Sequence, residues 1–245
     1  MIDGAVVAQI VAAIATQPDD RMVGIGPGLG ALTHPLLARL VHLHAVEIDR
    51  DIVARLRQDF PAERLTVHQA DALKFDFFTL GPGLRVVGNL PYNISTPLLF
   101  HLASSAANIR DIHVMLQKEV VARMVARCRC SDYGRLSVML QYRFHLEQLL
   151  AVPATAFRPA PKVESAVVRM VPFERGADRC DEALFARLVA RAFMQRRKTL
   201  RNSLKEYLGS KDFAALGLDA EARAQQLSVA DFVKVANHVA RRDAG

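Results

Sequence analysis

The chain has 245 residues, 51% of them apolar, and 32 basic against 25 acidic side chains for a net charge of +7. That suits one large domain with a small appendage, and no apolar run approaches the roughly 18 residues of a membrane span. Met1-Ile2-Asp3-Gly4 puts an acid where a secretory signal carries basic residues, and the odd set Cys128, Cys130 and Cys180 lacks ligand spacing, so a reduced, cytoplasmic protein without a bound metal is expected.

Helical spacing over 2–15, apolar on nearly every face, predicts a covered helix. A short apolar strand over 21–25 runs into the glycine-rich loop Gly24-Ile25-Gly26-Pro27-Gly28-Leu29-Gly30, followed by a helix over 32–40. A second strand over 43–48 ends around Glu47 and Asp49, and a helix spans 51–59. A third strand over 65–68 is followed by Asp71. A fourth, over 84–87, reaches Asn89-Leu90-Pro91-Tyr92 with Gly88 as a pivot. A helix over 96–103 and a fifth strand over 112–116 complete the alternation, which predicts a parallel, doubly wound sheet. Helices over 119–126 and 133–143 come next. Apolar runs over 144–150 and 163–171 flank a proline-rich loop over 152–161 and read as a closing antiparallel pair. Beyond Pro172 the pattern is helical only: 181–208 with a kink near Thr199, then 212–216 and 229–241. The predicted domains are 1–171 and 172–245.

A glycine-rich turn between strand and helix lets the backbone approach a ligand closely. Gly26-x-Gly28-x-x-Ala31 fits a dinucleotide fingerprint, and Gly26-x-Gly28-x-Gly30 fits a methyltransferase loop equally well. Glu47, 21 residues after Gly26, is placed to accept from ribose hydroxyls in either case; its plain alternative is a solvated strand end. Asp71 is placed to accept from an adenine amine while the Ala72 N–H meets a ring nitrogen; its plain alternative is a helix cap, and the two roles are compatible. Asn89 and the Leu90 carbonyl offer two acceptors for an exocyclic amine, Pro91 biases Leu90 toward an extended backbone, and Tyr92 offers a face for stacking. The plain alternative is a surface turn. The eight histidines form no ligand spacing, and His34 and His101 read as ordinary helix residues.

Several motifs occur in order: Gly26-Pro27-Gly28-Leu29-Gly30, Glu47-Ile48-Asp49, Gln69-Ala70-Asp71-Ala72, and the run from Gly88 to Pro97. Met115 to Val120, Tyr133 to Val138, Phe157-Arg158-Pro159-Ala160-Pro161-Lys162-Val163 and Arg196 to Leu204 complete the set. Together they resemble the KsgA/RsmA family of ribosomal RNA adenine dimethyltransferases nearly end to end. The resemblance implies a Rossmann-like class I methyltransferase, with a mostly parallel seven-stranded sheet and a small helical RNA-binding domain. It implies S-adenosylmethionine as cofactor and two adjacent adenosines of the terminal small-subunit RNA hairpin, within the immature 30S particle, as target of a monomer. By the same resemblance Gly26, Gly28, Glu47, Ile48, Asp71, Ala72 and Asn89 bind the cofactor. Asn89 and Leu90 hold the target amine, with Tyr92 and Phe157 on either side of the base. The family carries Glu where this chain has Gly24, and an upstream segment of the type Phe-Gly-Gln-Asn-Phe-Leu that covers the cofactor. Met1 falls after that segment, so a truncated start and weak turnover of the 245-residue form are expected.

Between Ala183 and Lys205 lie Arg187, Arg191, Arg196, Arg197, Lys198, Arg201 and Lys205 with no acid among them. On one continuous helix Arg187, Arg191, Lys198, Arg201 and Lys205 fall in a stripe about 80° wide, opposite an apolar face. The stripe is expected to meet RNA phosphates; a merely solvated face is the plain alternative. Two further enzymes compete with the leading reading: the large-subunit RNA methyltransferase that confers macrolide resistance, and a nicotinamide-dependent oxidoreductase. A non-catalytic assembly factor is the remaining alternative.

Overall fold

The protein is described here from a computed structural model covering residues 3–174, 180–195 and 197–243. Its first elements are α1 (Gly4–Ile14), β1 (Met22–Ile25), α2 (Thr33–Leu37), β2 (Leu43–Glu47), α3 (Arg50–Asp59) and β3 (Leu65–Gln69). Next come β4 (Leu84–Asn89), α4 (Ser95–Ser104), β5 (Ile109–Gln117), α5 (Lys118–Val125), α6 (Arg135–Gln141), β6 (Phe144–Val152) and β7 (Ser165–Pro172). The strands form one seven-stranded sheet in the order β3-β2-β1-β4-β5-β7-β6. The first five are parallel; β7 runs antiparallel to both β5 and β6. Local chemistry sets the helix starts. The Asp3 carboxylate accepts from the amides of Ala5 and Val6, and that of Asp49 from Asp51 and Ile52.

The chain divides into two compact units: 1–121 with 144–172, and 122–143 with 173–245. The single cut expected at Pro172 is therefore corrected for residues 122–143. Ala126, Tyr133 and Val138 are buried in one apolar cluster with Phe185, Val189 and Phe232. Their helices read as a continuation of the sheet domain because chain order, not apolar partnership, is what a sequence displays.

In the first unit, Arg85 on β4 is a buried cation in a closed network. It binds both oxygens of Asp111 at 2.9 Å and donates to Asp20 Oδ2 at 2.5 Å and the Ile14 carbonyl at 2.6 Å. Burial alone would raise the pKa of Asp20; the Gln17 amide, Arg85 and Arg110 outweigh it and hold it below the usual carboxylate value. His113, buried beside Asp111, is pushed down to about 4, chiefly by desolvation. The histidines also meet in space more than their spacing suggested. His44 Nδ1 lies 3.1 Å from His68 Nε2, and the His42 and His44 rings sit 4.9 Å apart. Burial and these neighbours push His44 down to about 4. His34 and His101 lie on α2 and α4 as ordinary helix residues.

In the second unit the predicted helix over 181–208 is two pieces, α7 (Glu182–Phe193) and α8 (Leu200–Ser203), followed by α9 (Ser210–Leu216) and α10 (Val229–Asp243). No proline or glycine breaks it. The Leu200 and Arg201 amides donate instead to the carbonyls of Ala222 and Ala220, at 2.8 and 2.9 Å, and Thr199 bridges Arg223. Tertiary pairing wins over helical continuity, which periodicity alone does not reveal.

Candidate active site

All five parallel strands end at one edge of the sheet, and the strand order reverses between β1 and β4. That switch point is where open α/β sheets leave a crevice for ligands. Here β1 and β4 pair through Ile25 and Gly88. A Cβ on Gly88 would lie 2.8 Å from the Ile25 carbonyl oxygen. Gly88 is thus no pivot: β4 continues through it to Asn89, and its missing side chain lets the two backbones close up.

The glycine loop leaves β1 with positive φ at Gly26 (59°) and Gly28 (54°), a left-handed backbone that favours glycine. The Gly26 amide donates to the Val46 carbonyl at 3.0 Å, which ties the loop to β2. The amides of Gly28 and Leu29 have no acceptor among the described residues, and a Cβ on Gly28 would meet open space. Under the loop is a cavity of about 250 Å³, lined by Gly24, Gly26, Gly28, Leu36, Val87, Asn89 and Arg158 among others. Gly24 forms part of its wall. A Cβ there would meet nothing nearer than the His44 oxygen at 3.9 Å, so the position has room for a side chain.

Glu47 ends β2 and is only 8% exposed. Its Oε1 accepts from the amides of Ile48 and Asp49 at 2.9 and 3.0 Å, while Oε2 has no donor among the described residues. Ile48 beside it is an exposed apolar side chain. After β3, Asp71 Oδ1 accepts from Leu73 N at 2.9 Å and closes a turn; no helix starts there, so it is not the helix cap of the plain alternative. The other Asp71 oxygen and the Ala72 amide are uncommitted among the described residues. Glu47, Ile48, Asp71 and Ala72 do not line the cavity; they stand at the ends of the two strands next to it.

The end of β4 is anchored and yet open. The Leu90 amide donates to the Met115 carbonyl at 3.1 Å, and the Leu90 side chain is buried. Among the described residues the Leu90 carbonyl accepts no hydrogen bond, and the Asn89 side-chain amide has no partner. Tyr92 is partly exposed. Phe157, between β6 and β7, is half-buried and packs against the core cluster that includes Val87 and Met115. Its neighbour Arg158, exposed and lining the cavity, was missed in the sequence, where it read only as part of a motif.

The six described basic residues belong to the second unit. Splitting the helix abolishes the single continuous stripe. Arg187, Arg197, Lys198 and Lys205 are exposed with no acidic partner among the described residues. Arg191 pairs with Glu206, and Arg201 with Glu221 at 3.1 Å, so acids outside the segment neutralise two of its cations. Arg196 lies outside the described residues.

The sequence model of the ribosomal RNA adenine dimethylase family matches residues 1–241. The chain belongs to this family. Among its family relatives, the ribosomal RNA small subunit methyltransferase A of Thiobacillus denitrificans is 62% identical over 243 residues, 99% of this chain and 95% of that protein. A solved dimethyladenosine transferase from Plasmodium falciparum superposes with a TM-score of 0.87 at 24% identity, covering 99% of this chain and 98% of its own. The 23S rRNA methyltransferase ErmE gives 0.73 at 24% identity, over 97% of this chain and 98% of its own. These two likenesses show the fold: the doubly wound sheet that the alternating strands and helices predict, in the class I methyltransferase form that the family resemblance implies.

Proposed function

We propose that this chain uses S-adenosylmethionine to dimethylate N6 of two adjacent adenosines in the terminal hairpin loop of small-subunit ribosomal RNA. It acts as a cytoplasmic monomer on the immature 30S particle. One observation carries the reading: two uncommitted acceptors, the Asn89 side-chain oxygen and the Leu90 carbonyl, belong to adjacent residues at the end of β4 beside the glycine loop.

The residues at the sheet edge fit the cofactor. The uncommitted Gly28 and Leu29 amides suit its carboxylate, Glu47 Oε2 its ribose hydroxyls, and the free Asp71 oxygen and Ala72 N–H its adenine. When bound, the cofactor supplies a sulfonium methyl, a strong electrophile. The chain's own task is positioning and charge placement. An adenine amine is a poor nucleophile because its lone pair is delocalised into the ring. Accepting both of its N–H groups at Asn89 and Leu90 favours a pyramidal nitrogen whose lone pair faces the donor. After the first transfer one N–H remains, and a neutral Asn accommodates that change without a charge mismatch. The proton lost at each transfer leaves to solvent. The target base must leave its stack, and the Tyr92 and Phe157 rings compensate by about 1–3 kcal/mol each. The exposed cations of the second unit contribute phosphate contacts.

Transfer of labelled methyl groups to small subunits lacking the modification tests the reading. Label is expected as N6,N6-dimethyladenosine in small-subunit RNA. Binding without incorporation, or label confined to large-subunit RNA, would overturn it.

A further inference from the structure

Tyr92 is oriented against the usual habit of a surface tyrosine. An exposed tyrosine normally buries its ring and turns its hydroxyl to water. Here the ring belongs to a side chain that is 36% exposed, while the hydroxyl is turned into the protein, 2.9 Å from the Oγ of Ser165. Ser165 itself is 1% exposed. It is the first residue of β7 and is paired across to Gln117 of β5 on one side and Val152 of β6 on the other. A hydroxyl held between two neighbouring strands is a fixed point. The other end of Tyr92 is fixed as well, because the buried Ser95 donates to its backbone carbonyl at 3.0 Å.

We infer that Ser165 is a positioning residue for methyl transfer: through the Tyr92 hydroxyl it fixes where the aromatic ring on which the target base stacks is placed. The inference rests on the proposed role of Tyr92 at the end of β4. It accounts for a tyrosine where a phenylalanine would supply the same stacking face. A ring tethered only at its backbone end sweeps about χ1, and the base it carries sweeps with it. Misplacement of about 1 Å costs as much as a hundredfold in rate, so a partial loosening is expected to cost about tenfold. Affinity for the RNA particle, which the basic surface supplies, should hardly change.

Steady-state kinetics of the full chain on undermethylated small subunits test this. Ser165→Ala and Tyr92→Phe should each lower kcat about tenfold with KM for the subunit within about twofold. The double variant should be no worse than either single one, because both remove the same hydrogen bond. Additive losses, or a loss in Ser165→Ala with Tyr92→Phe at the wild-type rate, would mean that Ser165 acts only on the sheet and would overturn the inference. If Ser165→Ala does not fold, Tyr92→Phe alone decides: a wild-type kcat rejects the tether. Tyr92→Ala separates this from the parent reading. Wild-type kcat in Tyr92→Ala rejects Tyr92 as a stacking face; a large loss there with no loss in Tyr92→Phe rejects the tether alone.

Discussion

The end of β4 and the basic surface of the second unit use polar groups in opposite ways. At Asn89 and Leu90 two neutral acceptors are uncommitted, yet the backbone around them is held by the close pairing of Gly88 with Ile25 and by the Leu90–Met115 bond. In the second unit the six described groups are charged, mostly exposed and carried on α7, α8 and the turns beside them, with two of the six already paired to acids. The first arrangement suits a geometry that must be met within fractions of an ångström. The second suits affinity gathered from interchangeable contacts. The difference teaches that the two regions should fail differently: one abruptly at a single residue, the other gradually and with salt.

The largest effect is expected at Asn89. On the proposed reading, Asn89→Ala removes a neutral acceptor for the target amine and should lower kcat about 10²- to 10³-fold, with particle affinity unchanged. Single-turnover rates at saturating cofactor and subunit provide the check. A loss confined to KM would merge the two regions into one binding surface.

Next comes acid. His113, on β5 beside the Arg85–Asp111 pair, has its pKa lowered to about 4 from 6.5 by burial, with Arg85 and Arg169 reinforcing and Asp111 opposing. Above pH 6.5 both folded and unfolded forms are neutral and nothing is at stake. Between 6.5 and 4 only the unfolded form takes up the proton, so His113 should contribute a loss of up to about 3 kcal/mol as pH falls through that window, in addition to that of His44, which is lowered over the same range. Urea titrations at pH 7 and 4.5 measure this, with hydrogen exchange of β4 and β5 amides against α10 to separate the units. His113→Gln should shrink the loss, and an equal loss in the variant would remove His113 as its cause.

A smaller and graded effect belongs to the basic surface. Replacing Arg187, Arg197, Lys198 and Lys205 together by Gln should reduce the slope of log affinity against log salt by about three. Arg191 and Arg201, paired to Glu206 and Glu221, should contribute less. An unchanged slope would leave the surface merely solvated.

The smallest effect is at Gly24. Its φ lies outside the left-handed region and a Cβ there would make only ordinary van der Waals contact, with the His44 oxygen at 3.9 Å and Val87 Cγ2 at 4.0 Å, so Gly24→Ala should stabilise the fold by about 0.4–1 kcal/mol in thermal melts. Destabilisation would show that the cavity wall is tighter than its geometry indicates.

The parts of this organisation legible in the sequence were those written in local periodicity. Alternation of period 2 and 3.6 located the parallel strands and the helices between them, and β4 and the glycine loop stood out by residue type. What escaped was set by partners distant in sequence. Ala126 and Val138 belong with Phe185, but nothing local says so. The separate start of α8 at Leu200 goes with the Leu200 and Arg201 amides donating to Ala222 and Ala220. Glu206 and Glu221 neutralise cations that look unopposed in a linear count. Gly88 looked like a pivot because glycine usually marks a turn, whereas here its role is close backbone pairing. Arg158 and Ser165 gave no signal of their own; only the cavity and the Tyr92 hydroxyl single them out.

The central claim, that chemistry sits at the end of β4 and affinity on the basic surface, is tested most directly by one salt series. Particle affinity and the single-turnover rate at saturating particle are measured together from low to physiological salt. The account predicts that affinity falls steeply while the saturated rate stays flat. A saturated rate that falls in parallel with affinity would contradict it.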